Sequence, residues 1–225
     1  MTQDKHAEDA PPRRYHHGDL AEALVAAAVE IIAEKGVEQL SMREAARRAG
    51  VSPGAPFRHF RSKTALLTAL AEQAGGRLTE AVAAALAEAG EADPLAAFEA
   101  IGVGYLRWAL RNPTHFQIVS SRALVDFEGS EILRGQNAAI RRRMVGLLEA
   151  ARSQGRLAED LKLEEALLAA RALVYGLARM AADGHLPEWS PPAEGAAAGA
   201  ASGEDPERRL RRALRLFMGA LAPGR

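Results

Sequence analysis

From Leu20 to Leu221 the apolar residues of this chain return every three or four positions, and no stretch alternates at period two for long. The first pattern makes amphipathic helices and the second makes half-buried strands, so the chain is committed to an all-α fold. Ala and Leu, which enter helices at little cost, dominate the apolar set. A hydrophobic share of 48% in 225 residues is enough to bury a sizeable core. No apolar run approaches the ~18 residues of a membrane span. The N-terminus is polar and charged rather than leader-like, and cysteine is absent, which removes disulfides, thiolate metal sites and a cysteine nucleophile. A soluble protein of the reducing cytoplasm is expected.

Local punctuation places the helices. Residues 1–14, ending in Ala10-Pro11-Pro12-Arg13-Arg14, read as a flexible arm. Asp19 with Glu22 has capping-box spacing for a first helix, whose Leu20, Leu24, Ala28 and Ile31 form one stripe up to Lys35-Gly36. Ser41 with Glu44 repeats that spacing for a short second helix that should stop at Gly50, and Ser52-Pro53 opens a third with Phe57 and Phe60 on its apolar side. Ser62 caps a longer helix from Lys63 toward Gly90, with Gly75-Gly76 as an expected weak or bent point. Asp93-Pro94 opens a helix ending near Arg111, Asn112-Pro113 a short one, Ser130 one reaching about Gln154, and Leu163 one reaching about Asp183. Residues 190–204, almost wholly Pro, Ala, Gly, Ser and Glu, offer nothing to anchor a core and are expected to form a mobile loop. After it, Asp205-Pro206 starts a last helix with Leu210, Leu214, Phe217 and Leu221 on one side and Arg208, Arg211, Arg212 and Arg215 facing away.

Charge is unevenly spread. Lys plus Arg and Asp plus Glu both total 29, yet residues 41–63 hold Arg43, Arg47, Arg48, Arg58, Arg61 and Lys63 against Glu44 alone. One basic face on an otherwise acidic protein suits contact with phosphates. The same stretch has the parts of a helix-turn-helix: Ala45, Ala46 and Ala49 for a close crossing, Gly50 for the turn, Val51 to plug the angle, and Phe57 and Phe60 to dock on the first helix. The N-terminal part of the second helix of such a unit enters the major groove, which makes residues 52–59 the candidate reading surface. That set includes Ser52 and Phe57.

Tyr15-His16-His17-Gly18-Asp19-Leu20, Ser41-Met42-Arg43-Glu44-Ala45-Ala46-Arg47-Arg48-Ala49-Gly50-Val51-Ser52 and Phe57-Arg58-His59-Phe60-Arg61-Ser62-Lys63 together resemble the DNA-binding domain of TetR/AcrR-type regulators. The resemblance implies a helix-turn-helix domain over 15–62 and a helical effector-binding and dimerisation domain over 63–225. It implies that Ser41, His59 and Lys63 hold phosphates while Arg43, Pro53, Gly54, Ala55 and Arg58 face base edges. Arg43 has the forked donors that suit guanine, whereas Pro53, Gly54 and Ala55 offer only apolar contact and a close backbone. Phe57 replaces a tyrosine frequent in the family, and Pro56 removes the first intrahelical hydrogen bond, so a distorted start to the reading helix is expected. More loosely, Trp108 to Phe116 and Tyr175-Gly176-Leu177 are similar to a subclass with a Trp/His-Gly signature, with an aromatic where that subclass has histidine.

The regulator so implied is a homodimer on a palindromic double-stranded operator, released by a small-molecule effector, with no cofactor. Phe98, Tyr105, Trp108, His115, Phe116, Phe127, Tyr175 and Met180 are the candidate effector pocket, with His115, Gln117 and Arg122 as polar groups. Taken singly, such aromatics at helical spacing more often fill core. Ala166, Ala169, Ala170, Leu173, Gly176 and Leu177, with Leu210, Leu214 and Phe217, are the candidate four-helix dimer interface. The pair His16-His17 lacks the companions of a metal site. The arginines at 141–143 and on the last helix read as a solvated face. No nucleophile elbow, zinc-protease motif or phosphate loop is present, so an enzyme is not expected, and a purely structural adaptor leaves the basic stretch at 41–63 unexplained.

Overall fold

The computed structural model of the chain describes residues 17–90, 93–189 and 205–222, so the expected arm at 1–14 and loop at 190–204 lie outside the described residues. The described residues form α-helices joined by turns and short 3₁₀ segments, with no strand. In order these are α1 (His17–Lys35), α2 (Met42–Arg48), α3 (Lys63–Ala89), α4 (Pro94–Arg111), α5 (Pro113–Ser120), α6 (Glu131–Ser153), α7 (Leu163–Ala182) and α8 (Pro206–Ala220). The chain divides into two compact units, Met1–Leu66 and Leu67–Arg225.

In the N-terminal unit, the inner face of α1 buries Leu24, Val25, Ala28, Ile31 and Ile32 together with Ala45 and Ala46 of α2. The helix starts at His17, two residues ahead of Asp19, so Asp19 lies within its first turn rather than at its cap. Ser41 does cap α2: its backbone is extended and its hydroxyl accepts from the Glu44 N–H at 3.2 Å. The other end closes with the Gly50 N–H on the Arg47 carbonyl and the Val51 N–H on the Ala46 carbonyl. Those two bonds define a Schellman closure, and Gly50 takes the φ of 69° it requires.

The C-terminal unit is organised around α4, which packs against α6, α7 and α8. Asp93 caps α4 by accepting from the Leu95 and Ala96 N–H groups, Ser130 caps α6, and Asp205 caps α8. The side chains of Phe98, Ile101, Tyr105, Leu106 and Trp108 make α4 the centre of the core. A Cβ at Gly104 would lie 3.0 Å from the Ala81 carbonyl oxygen and from Val82 Cα, so its absence lets the backbones of α3 and α4 touch. α3 runs uninterrupted through Gly75-Gly76, the expected weak or bent point. Gly75 instead makes room for Gln136 of α6: a Cβ there would sit 2.1 Å from the Gln136 amide oxygen, while the Gln136 amide N–H donates to the Glu72 carbonyl at 3.0 Å.

Candidate nucleic-acid interface and cavity

The candidate reading surface begins with a turn where a third helix was expected. Residues 55–58 form a single 3₁₀ turn and no α-helix follows Gly50 until Lys63. Pro56 accounts for it: it has no N–H to extend the helical ladder. The Ser52 hydroxyl therefore has no helix to cap, and the turn starts from Gly54 without a side-chain cap. The Ser52 carbonyl accepts from the Ala55 N–H at 3.0 Å, and the Pro56 carbonyl accepts from both His59 and Phe60. Pro56 and Phe60 are the buried anchors. Ser52, Pro53, Gly54 and Arg58 project outward, with Ala55 and His59 half-buried. Phe57 was expected to dock on α1, but it is 54% exposed because the 3₁₀ period turns it away from the side that Pro56 occupies.

Electrostatics divide the basic residues of this unit into two groups. Arg48 grips Glu34 of α1 with two hydrogen bonds of 2.6 Å, with Glu30 at 3.5 Å, so it fastens α2 to α1. Arg47 donates to both oxygens of Glu44 at 2.8 and 2.6 Å, and Lys35 adds a third contact at 3.2 Å. Those bonds, Arg47 first and Lys35 second, hold the Glu44 carboxyl down to about 2. Lys63 donates to the Val37 carbonyl at 2.7 Å, which spends one of its three N–H groups inside the protein. By contrast Arg43, Arg58 and Arg61 are exposed and enter no ion pair among the described residues. Sequence reasoning gave Arg61 no role of its own, because nothing local distinguishes it from Arg47.

A cavity of about 650 Å³ lies within the C-terminal unit. Of the residues expected to form a pocket, Phe98, Tyr105 and Phe127 line it, as does Arg122. Trp108, His115 and Phe116 do not; they are buried in the core, with Tyr175 packed against Phe116 at a ring distance of 6.2 Å. Met180 faces a separate shallow recess with His185, Glu188 and Trp189, and Gln117 lies outside both. His115 contacts Arg77 at 3.2 Å, and burial followed by the Arg77 charge pushes its pKa below the ordinary histidine value. Because a guanidinium only donates, Nε2 is the acceptor in this contact. Three of the charged groups at the cavity, Arg141, Arg171 and Glu164, were missed by sequence reasoning, since each sits on an outwardly polar helix stretch.

Of the expected interface residues, Ala166, Ala170, Leu210 and Leu214 are used inside the chain: all four are buried in its own core clusters and present no surface to a partner. Ala169 is exposed, and Leu173, Gly176, Leu177 and Phe217 are half-buried. Leu168 on α7 and Leu216 on α8, which sequence reasoning left out, are 71% and 80% exposed.

Comparison with known proteins agrees with this architecture. Residues 24–70 match the bacterial regulatory proteins of the tetR family, and residues 98–202 match the tetracyclin repressor-like C-terminal domain. The HTH-type transcriptional regulator YvdT of Bacillus subtilis is 39% identical over 51 residues, 23% of this chain and 26% of its own length. An HTH-type transcriptional repressor of Mycobacterium tuberculosis is 38% identical over 61 residues, 27% of this chain and 32% of its own length. The chain thus matches about a quarter to a third of the length of these curated relatives. Over nearly the whole chain, a Rhodococcus sp. RHA1 protein of unknown function superposes with a TM-score of 0.72 at 30% identity, covering 93% of this chain and 99% of that one. A tetR-family regulatory protein of Rhodococcus RHA1 shares the fold, with a TM-score of 0.67 at 20% identity over 92% and 98% of the two chains. With both domain types matched in order on a helical fold that has a helix-turn-helix at its head, the chain belongs to the tetR family of bacterial transcriptional regulators.

Proposed function

We propose that this regulator is a homodimeric repressor that occupies a palindromic operator and leaves it when a small, largely apolar molecule enters the C-terminal unit. The observation that carries the DNA-binding half is the sorting of cations around the exposed tip. Arg47, Arg48 and Lys63 are turned to the protein's own acceptors, whereas Arg43, Arg58 and Arg61 enter no ion pair among the described residues and lie near exposed Ser52, Pro53, Gly54 and Phe57 in the sequence. In this reading Arg43 and Arg58 contact base edges, with Ala55 and Phe57 giving apolar contact to thymine methyls and sugars. Ser41, His59, Arg61 and the two remaining N–H groups of Lys63 hold phosphates.

The second half rests on the cavity and on the outer face of α7 and α8. Leu168 and Leu216, with Ala169, Leu173, Gly176, Leu177 and Phe217, offer apolar surface to a second copy. Pairing two copies by symmetry supplies the second half-site that a single helix-turn-helix needs for affinity.

Fluorescence anisotropy on DNA selected from random pools tests the reading. An inverted repeat is expected to be enriched. Arg43→Ala should lose about 1–3 kcal/mol of discrimination at one base position. Lys63→Ala should weaken all sequences alike and make the salt dependence shallower by about one unit. Equal effects of the two changes would refute the division of roles, and selection without any preferred repeat would refute operator reading altogether.

A further inference from the structure

The cavity in the C-terminal unit joins apolar walls to an excess of arginine over carboxylate. Its walls are mainly apolar, from residues such as Leu78, Ile101 and Val174, yet Arg122, Arg141 and Arg171 line it against one carboxylate, Glu164. Where this chain places arginines on packed helices, it commonly supplies a carboxylate: Arg107 pairs with Glu88 and Glu207, Arg211 with Glu207, and Arg215 with Glu99. Among the described residues the three cavity arginines form no ion pair, with Glu164 or with any other carboxylate.

Two of the three are nonetheless held in place. The Arg122 guanidinium lies 3.1 Å from the ring centroid of Phe127, and that of Arg171 lies 4.9 Å from the ring of Tyr105. Both rings are themselves cavity walls. An arginine seated on a ring face uses its π surface and keeps the N–H groups along its edge available. All three arginines are exposed, which places them at the mouth of the cavity rather than in its depth. The result is a mainly apolar chamber rimmed by three arginines that, among the described residues, pair with no carboxylate, although Glu164, Gln136 and Asn137 also line it.

Such an edge matches a carboxylate, which accepts two parallel N–H bonds from one guanidinium. A cation is repelled there, and a neutral polar group fails to use the charge. We infer that the effector is an apolar molecule ending in a carboxylate, its body against α3, α4 and α8 and its head at Arg141 and Arg171. This inference rests on the effector reading proposed above and deepens it.

Isothermal titration of the full-length protein with dodecanoate, dodecan-1-ol and dodecylammonium, each below its aggregation concentration, provides the test. Dodecanoate should bind about tenfold more tightly than the alcohol, the ratio expected of one charge-assisted hydrogen-bonded head. Dodecylammonium should bind more weakly than either. The acid-to-alcohol ratio should fall toward one in the double variant Arg141→Gln/Arg171→Gln. The single variant Arg141→Gln, which breaks no ion pair among the described residues, should lower it part of the way. Equal binding of acid and alcohol to the wild type, or a ratio that survives in the double variant, overturns the carboxylate assignment while leaving the cavity as a binding site. Binding of none of the three probes overturns the effector reading itself.

Discussion

Arg43 and Arg47 lie one turn apart on the same short helix, and apart from the family resemblance, which puts Arg43 on base edges, their residue type and helical position do not separate them. Their surroundings do: Arg47 closes on Glu44, whereas Arg43 enters no ion pair among the described residues. Glu44 thereby becomes the acid-sensitive point of the N-terminal unit. Its carboxyl, held at about 2 by Arg47 and Lys35, has an ordinary value of 4.5 when the chain is unfolded. A carboxyl with a depressed folded pKa contributes its full stabilisation above the unfolded value and loses it as the pH falls toward the folded one. Loss of helical signal with falling pH should accordingly include a contribution between pH 4.5 and about 2 that Glu44→Gln removes. Circular dichroism in urea across that range checks it, and parallel acid limbs for the two proteins would assign the sensitivity elsewhere. His115 adds a second window higher on the scale. Its lowered pKa means that stability present above the ordinary histidine value is lost as the pH falls through the lower folded one.

Elements show which parts of the fold were legible in the sequence and which were not. The starts of α2, α4, α6 and α8 were readable because Ser41, Asp93, Ser130 and Asp205 each act on an N–H two or three residues ahead. The 3₁₀ turn at 55–58 was readable only as a distortion around Pro56, since how far the helix would shrink depends on Pro56 and Phe60 being buried. The inward side of α7 and α8 was misassigned for a related reason. An amphipathic stripe states that a face is buried but not by what, and Leu210 and Leu214 went to the chain's own core. Two glycines turn this packing into a measurement with opposite signs. Gly104→Ala forces a methyl against the backbone of α3 and should cost about 1–3 kcal/mol, only partly offset by the better helix propensity of alanine. Gly146→Ala on α6 meets nothing within 4 Å and should stabilise by roughly 0.5–1 kcal/mol. Thermal unfolding of the two variants is the comparison, and a shift of the same sign in both would contradict the close approach at Gly104.

At the scale of the whole molecule, the sequence made the all-α architecture legible along with a DNA-binding head. Its account of the cavity was mixed: Phe98, Tyr105 and Phe127 line it, while Trp108 and Phe116, of the same chemistry and spacing, fill core. Nothing in a helical period separates the two outcomes, because both need a residue that faces inward. The arginines at the cavity were hidden for the converse reason, since they read as solvated polar positions. If ligand and operator are coupled as proposed, the coupling has to be reciprocal. A ligand that weakens operator binding by a given factor should bind the operator complex more weakly by that same factor. Dodecanoate titrated with and without saturating operator DNA measures it, and identical affinities would sever cavity from output.

Pro53 and Pro56 cannot rotate about N–Cα, so in the proposed complex they would narrow the shapes that the tip around Gly54 and Ala55 can offer a half-site. Part of any misfit would then fall to the duplex, which yields readily at pyrimidine–purine steps and resists along A-tracts. Promoters would then be ranked partly by the stiffness of base pairs that no side chain reaches, and a single change in an untouched spacer would be able to reassign a gene.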